Sequence, residues 1–151
     1  MHVSMWDKRG GRLPSQVDIL VNYAKSFIGL PYIWGGNNPI DGFDCSGFVL
    51  ECLKAVGVLR GGDRASMSIH NELKEIGLAS GIEKGAILFF GKDENSITHT
   101  AIAISEHLMI EAGGGNSTTK TPEDAAKKNA FVRIRPIDSR SDLVNSFIWG
   151  V

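Results

Sequence analysis

Between Ser15 and Ile28, the apolar residues Val17, Leu20, Val21, Ala24 and Phe27 fall on one face at a helical period. Gly29 followed by Pro31 ends that pattern. Ser15 with Asp18 three residues later resembles a capping box, with Asp in place of the usual Glu or Gln. "WGGNNPIDGFD" (34–44) is dense in Gly, Asn, Pro and Asp and reads as a loop. A second helix is predicted from Cys45 to about Val56, with the stripe Cys45, Phe48, Val49, Cys52, Leu53 and Val56 and with Gly57 as its stop. A shorter one, about Met67 to Ile76, carries Ile69, Leu73 and Ile76. After residue 85 the period changes. "AILFF" (86–90) is a short apolar run, and "ITHTAIAI" (97–104) is β-branched and alternating. "LMIEA" (108–112) follows a tight connection. "AFVRIRPI" (130–137) alternates again, setting Arg133 and Arg135 on the face opposite Val132 and Ile134. "FIWGV" closes the chain, and "TPEDAAKKN" reads as a helical turn with Thr121 as N-cap and Pro122 at the first helical position.

Helices first and antiparallel strands afterwards imply an α+β fold, with helices packed on an antiparallel sheet of about five strands. Residues 1–13 read as a loose N-terminal arm and 14–151 as a single domain. A chain of 151 residues needs no staples to fold. The formal net charge of −1 points to neither a nucleic-acid surface nor a polybasic membrane anchor. The longest apolar runs are about five residues, against the ~20 that a membrane-spanning helix needs. "MHVSMWDKRGGRLPSQ" has no apolar core of a signal peptide, so synthesis in the cytoplasm is expected.

The two cysteines, Cys45 and Cys52, lie seven residues apart on one predicted helix. That separates them by about 10.5 Å along the axis, beyond the roughly 7 Å that a disulfide tolerates. With no CxxC, neither a zinc ribbon nor a thioredoxin-type site is supported. "GAILFFGKD" lacks the spacing and the Ser or Thr of a phosphate loop, and the glycines of "AGGGNSTTK" read as a loop bordering a cleft.

Cys52, in the middle of the apolar stripe, reads as structural. Cys45 is different, because it sits at a helix start. Free N–H groups and the helix dipole favour an anion there and can lower a thiol from about 8.5 to between ~3.5 and 7.5. Gly47 leaves the first turn uncrowded for an approaching substrate. A nucleophilic thiol needs a base. His2 lies in the arm, His70 is expected on a solvated or boundary helix face, and His107 near a hairpin tip. His99 shares its strand face with Ala101 and Ala103, which would leave room above it as a groove floor does. If strands 97–104 and 108–112 form a hairpin centred on Ser105, His99 faces Glu111 with Cβ atoms about 4.5–5.5 Å apart. A carboxylate there would hold one ring nitrogen and leave the other for the thiol. Arg133 and Arg135 read as a solvated strand face.

Cysteine at a helix start, histidine on a strand and a polar residue on the next strand is a papain-like order. "GLPYIWGGNNPIDGFDCSGFV" resembles the loop and nucleophile motif of the NlpC/P60 cysteine peptidases. "DRASMS", "KGAILFF", "ITHTAIAI" and "LMIEA" resemble that family's later segments, so the likeness spans about residues 17 to 112. It implies the papain-like NlpC/P60 fold and hydrolysis of amide bonds in peptidoglycan stem peptides, often between D-glutamate and the diamino acid, with no cofactor and no metal. Cys45 would be the nucleophile, His99 the base and Glu111 the orienting group. Tyr32, Asp44 and Ser46 match positions lining the family's substrate cleft, and Trp34 beside Tyr32 is counted with them. Asp44 would pair with a free peptide amine, and the Cys45 N–H with the oxyanion.

The chain departs from the family pattern in three places. Glu111 stands where His is frequent, Gly85-Ala86 replaces Gly-Asp, and the histidine strand lacks the commoner Gly and Tyr. Two further readings of the same scaffold are a hydrolytically silent wall-binding or structural module and an acyltransferase or transpeptidase. A zinc site from Cys45, His99 and Glu111 lacks any ligand pair at short helical spacing. Without a signal peptide, action on the wall implies co-delivery, as part of a phage particle or a larger parent protein.

Overall fold

A computed structural model describes residues 15–149. The arm read over residues 1–13, with His2 in it, lies outside the described residues. Helix α1 runs Gln16–Lys25, capped by Ser15. Both halves of the capping box are present, Ser15 Oγ accepting from Asp18 N and Asp18 accepting from Ser15 N, each at 3.1 Å. The helix stops three residues short of Ile28, and turns carry the chain to Gly29, at φ 95°. The loop that follows contains a minimal hairpin, β1 (Asn37–Asn38) against β2 (Gly42–Phe43). Then come α2 (Cys45–Ala55) and α3 (Ser66–Ile76).

The second half forms β3 (Ile87–Gly91), β4 (Ile97–Ala103), β5 (Leu108–Gly113), α4 (Pro122–Lys128), β6 (Phe131–Pro136) and β7 (Leu143–Phe147). Thr121 caps α4 with Pro122 at its start, as predicted. Five strands join in the order β6-β5-β4-β3-β7, every pair antiparallel. The last described strand begins upstream of "FIWGV" and ends at Phe147. Trp149 instead tucks its ring inside and donates Nε1–H to Gly85 O at 2.7 Å, tying the chain's end to the entry of β3.

Two apolar clusters lie on opposite faces of the sheet. The larger sits under the helices. Leu20, Val21 and Ala24 from α1 and Phe48, Val49, Cys52 and Leu53 from α2 pack on Ile87, Phe89, Ile102, Ile110 and Val132. Phe27, Phe43 and Phe48 form an aromatic knot, with ring centroids 5.1 Å (Phe27–Phe43) and 5.8 Å (Phe43–Phe48) apart. Burial of such side chains contributes about 1.5–3 kcal/mol each, and this cluster holds α2 against the sheet. Cys52 is fully buried and its thiol is pushed up by that burial, consistent with a structural residue.

The smaller cluster, on the other face, contains Leu88, Phe90, Ala101, Ala103, Met109 and Ile137. Ala101 and Ala103 are therefore packed core, not the floor of a groove. Two other expectations change. Ile76 is exposed rather than part of the stripe. His70 is 1% exposed rather than solvated. Its ring stands edge-on to Phe89 at 5.2 Å, and its nitrogens lie 3.0 Å from Asn71 Oδ1 and 2.8 Å from Asn145 Nδ2. It is a satisfied core histidine packed on Phe89, whose side chain lies on the opposite face of the sheet from that of Phe90, the partner of His99.

Candidate active site

Helix α2 presents Cys45 at its first position because Asp44 ends the loop as an N-cap. Asp44 Oδ1 accepts from Gly47 N at 2.8 Å and from Ser46 Oγ at 3.2 Å, while Oδ2 accepts from Gly35 N at 3.0 Å. One carboxylate thus joins the helix start to the loop below it. Burial raises the Asp44 pKa, and these hydrogen bonds oppose the rise. Gly47 serves packing rather than substrate approach. A Cβ there would lie 2.1 Å from Gly36 O and 3.1 Å from Asn37 Cα, so only glycine lets α2 seat on the loop. Cys45 stays partly exposed.

His99 comes from β4 next to an irregularity. Phe90 pairs with His99, but Gly91 pairs with Ile97, which leaves Thr98 as an extra residue. Such a bulge re-aims the strand locally. It brings Thr98 O within 4.0 Å of Cys45 Sγ and sets the His99 ring at the same cleft as the thiol. Gly91 permits this close approach, since a Cβ there would lie 2.1 Å from Ser96 O.

The hairpin register differs from the expected one by two residues. Ile102 pairs with Ile110 and Ala103 with Met109, a turn centred on Glu106 rather than Ser105. Continued, this register sets Glu111 opposite Ala101 and His99 opposite Gly113. A shift of two keeps every side chain on its face, so the contact survives as a diagonal one. His99 Nε2 lies 2.8 Å from Glu111 Oε1. Glu111 reaches along its strand over Gly113, where a Cβ would sit 2.2 Å from Oε2. Glu111 is 2% exposed, so the expected orienting position is occupied.

The other carboxylate oxygen is also engaged. Arg133, directly opposite Glu111 on β6, donates from Nε to Oε2 at 3.0 Å. Arg133 is therefore not a solvated strand residue, and Arg135 too borders the cleft, while Ile134 on the opposite face is 42% exposed. The alternation on β6 is real, but its polar side faces the site.

These contacts set the protonation states. For Cys45, burial pushes the thiol up, and the neighbouring His99 imidazole and the Ser66 hydroxyl pull it below its ordinary value on balance. For His99, burial pushes the imidazole down, and Cys45 and Glu111 together raise it to about 9. For Glu111, burial raises the carboxyl, but His99 and then Arg133 hold it down at about 2. Both shifts favour a thiolate beside an imidazolium, and Glu111, held ionised, takes Nε2 and leaves Nδ1 free of it.

Tyr32 and Trp34 border both hollows that meet at Cys45, Tyr32 buried and Trp34 54% exposed. Tyr32 also packs on Gly115, whose Cβ would touch its ring. Ser46 borders one of them with its hydroxyl committed to Asp44. The glycine-rich 113–115 segment lines the cleft as expected. Sequence reasoning did not find Ser66, whose Oγ lies 3.6 Å from Cys45 Sγ, nor Thr98 or Arg133. The β6 register against Glu111 was the one signal available for Arg133. No group of three His, Cys, Asp or Glu side chains arranged to hold a metal ion is found among the described residues.

The sequence pattern of the NlpC/P60 family matches residues 29–135. Among curated relatives, the gamma-D-glutamyl-L-lysine dipeptidyl-peptidase of Bacillus cereus is 35% identical over 97 residues, covering 63% of this chain and 28% of that protein. The chain thus spans less than a third of that relative's length. Among solved structures, an NlpC/P60 family protein from Bacillus cereus superposes with a TM-score of 0.66 at 24% identity, over 93% of this chain and 42% of the other. RipD of Mycobacterium tuberculosis, described as a non-catalytic NlpC/p60 domain protein adapted to peptidoglycan binding, superposes at 0.63 and 16% identity, over 91% and 98%. By sequence and by fold, the chain belongs to the NlpC/P60 family.

Proposed function

We propose that this protein is a cysteine endopeptidase that hydrolyses amide bonds in peptidoglycan stem peptides, at the bond between D-glutamate and the diamino acid. The observation that carries the reading is the meeting of Cys45, His99 and Glu111 at one cleft, with the thiol lowered and the imidazole raised. The bond assignment draws support from the relative named for γ-D-glutamyl-L-lysine cleavage. A non-catalytic relative shares the scaffold, so the fold alone carries no activity; the complete, charge-matched triad favours the enzyme.

The chemistry follows from the geometry. The Cys45 thiolate attacks the scissile carbonyl carbon, and the carbonyl electron pair moves onto oxygen. The Cys45 N–H, first in its helix and without an intrahelical acceptor, stands where it stabilises that oxyanion. Collapse breaks the C–N bond as His99 Nδ1 gives its proton to the leaving amine. A thioester remains on Sγ. Neutral His99 then takes a proton from water, hydroxide adds to the thioester carbonyl, and the thiolate leaves. Glu111 holds the ring throughout and balances the imidazolium.

The test is mass spectrometry of products from purified muropeptides. Wild-type protein should release fragments ending in D-glutamate, and Cys45→Ala should release none while keeping its circular-dichroism spectrum. Cleavage by Cys45→Ala overturns the proposal. Products in which an added amine has replaced water would move it to acyl transfer.

A further inference from the structure

The two hollows that meet at Cys45 differ in charge. One, about 500 Å³, opens over Asp44, Ser46, Asp63 and Ser66, with Arg64 at its border paired to Glu72. The other, about 440 Å³, is bordered by His99, Glu111 and three arginines, Arg133, Arg135 and Arg140. His99 borders only the second of these two. The acid that protonates a leaving amine must stand within hydrogen-bond reach of it. The departing half of a substrate therefore lies in the arginine-lined hollow.

Two of those arginines are committed. Arg133 donates to Glu111 Oε2 at 3.0 Å and to Asn129 O at 3.2 Å. Arg140 holds Asp142 through two bonds of 2.9 and 2.8 Å, and its guanidinium lies 5.0 Å from the centroid of the Phe90 ring. Arg135 stands two residues from Arg133 on the same face of β6 and has no ion-pair partner among the described residues. It is half-buried, so its charge is less screened than that of a free surface arginine. A planar guanidinium facing an open cleft is matched to a carboxylate, which it takes with two parallel N–H donors.

We propose that Arg135, with Arg140 fixed beside the same hollow, binds the free C-terminal carboxylate of the fragment that departs with the amine. This rests on the endopeptidase reading above for which half of the substrate enters the hollow. It makes the enzyme selective for short stem peptides whose diamino acid ends in a free acid, over those whose carboxylate is amidated.

The experiment measures binding, separately from turnover. Cys45→Ala protein is titrated by calorimetry with L-Ala-γ-D-Glu-L-Lys and with the same peptide as its C-terminal amide. The acid should bind about tenfold tighter, the lower end of what a charged hydrogen bond supplies. In Cys45→Ala/Arg135→Gln protein that preference should vanish. Equal or undetectable binding of the two peptides by Cys45→Ala protein overturns the proposal, as does a preference that persists without Arg135. Wild-type turnover of the same peptides tests the enzyme reading separately. No cleavage together with a retained acid preference sinks the hydrolase and leaves the subsite standing.

Discussion

Glu111 divides its two oxygens between His99, at 2.8 Å, and Arg133, at 3.0 Å, in a position 2% exposed to solvent. A carboxylate alone beside an imidazole would over-stabilise the imidazolium. Arg133 offsets that pull and keeps the carboxyl ionised. Glu111→Gln keeps the volume and loses the charge. Its kcat should fall by about 10²–10⁴-fold, and the alkaline limb of its pH profile should move to lower pH, because the raised His99 value depends on Glu111. An unchanged alkaline limb would remove Glu111 from the site's chemistry.

Gly113 tests the same contact by steric means. A Cβ at 2.2 Å from Glu111 Oε2 cannot coexist with the present carboxylate position. Gly113→Ala should lower kcat by about tenfold or more, as misplacement of a positioned group does, with little change in the far-ultraviolet spectrum. Full activity would mean that the diagonal reach of Glu111 is dispensable.

The thiol's reactivity provides a third check. Cys45 should alkylate with iodoacetamide well below the ordinary thiol range, and Cys52, buried and pushed up, should not react in the folded protein. Ser66→Ala removes the hydroxyl 3.6 Å from Sγ and should slow alkylation at about pH 6 by a few-fold, since one hydrogen bond contributes about 0.5–1.5 kcal/mol. Equal rates would leave Ser66 a packing residue.

Stability should depend on pH in two opposite senses. The His99 value rises from 6.5 to about 9 on folding, so its contribution is complete below about 6.5 and is lost as pH rises through about 9. The Glu111 value falls from 4.5 to about 2, so its contribution is present above 4.5 and is lost as pH falls toward about 2. Urea midpoints should therefore be highest between about pH 5 and pH 7 and lower at about pH 3 and pH 10. A His99→Gln variant should lose the alkaline decline, and a wild-type curve flat to about pH 10 would contradict the pairing.

The local grammar of the chain exposed most of the fold. Helical stripes placed α1, α2 and α3 within a few residues, and alternation placed β4 and β6. Cys45 and His99 were legible because each sits on an element with an unambiguous period. The hairpin register was not, since pairing depends on where the turn closes, and Ile104 N and Ser105 N both reach Leu108 O, at 2.9 and 3.4 Å. Glu111 was found despite the wrong register because a slip of two preserves the face. Arg133 and Arg135 were misjudged because periodicity shows which residues share a face and not what covers it. His70 was misjudged for a related reason: Phe89, Phe147 and Asn145, which enclose it, arrive from distant strands.

The extra residue at Thr98 isolates the imidazole from the turn before it. Downstream of that residue the ladder is regular, with Phe90 against His99, Phe89 against Thr100 and Leu88 against Ala101. Upstream, exposed residues 92–96 make the reversal outside the paired ladder. The phase of β4 is thus set from its far end. A change in the length of that reversal is taken up before Thr98, leaving His99 opposite Phe90, while Glu94 at its tip ties the reversal to Lys74 and Asn145.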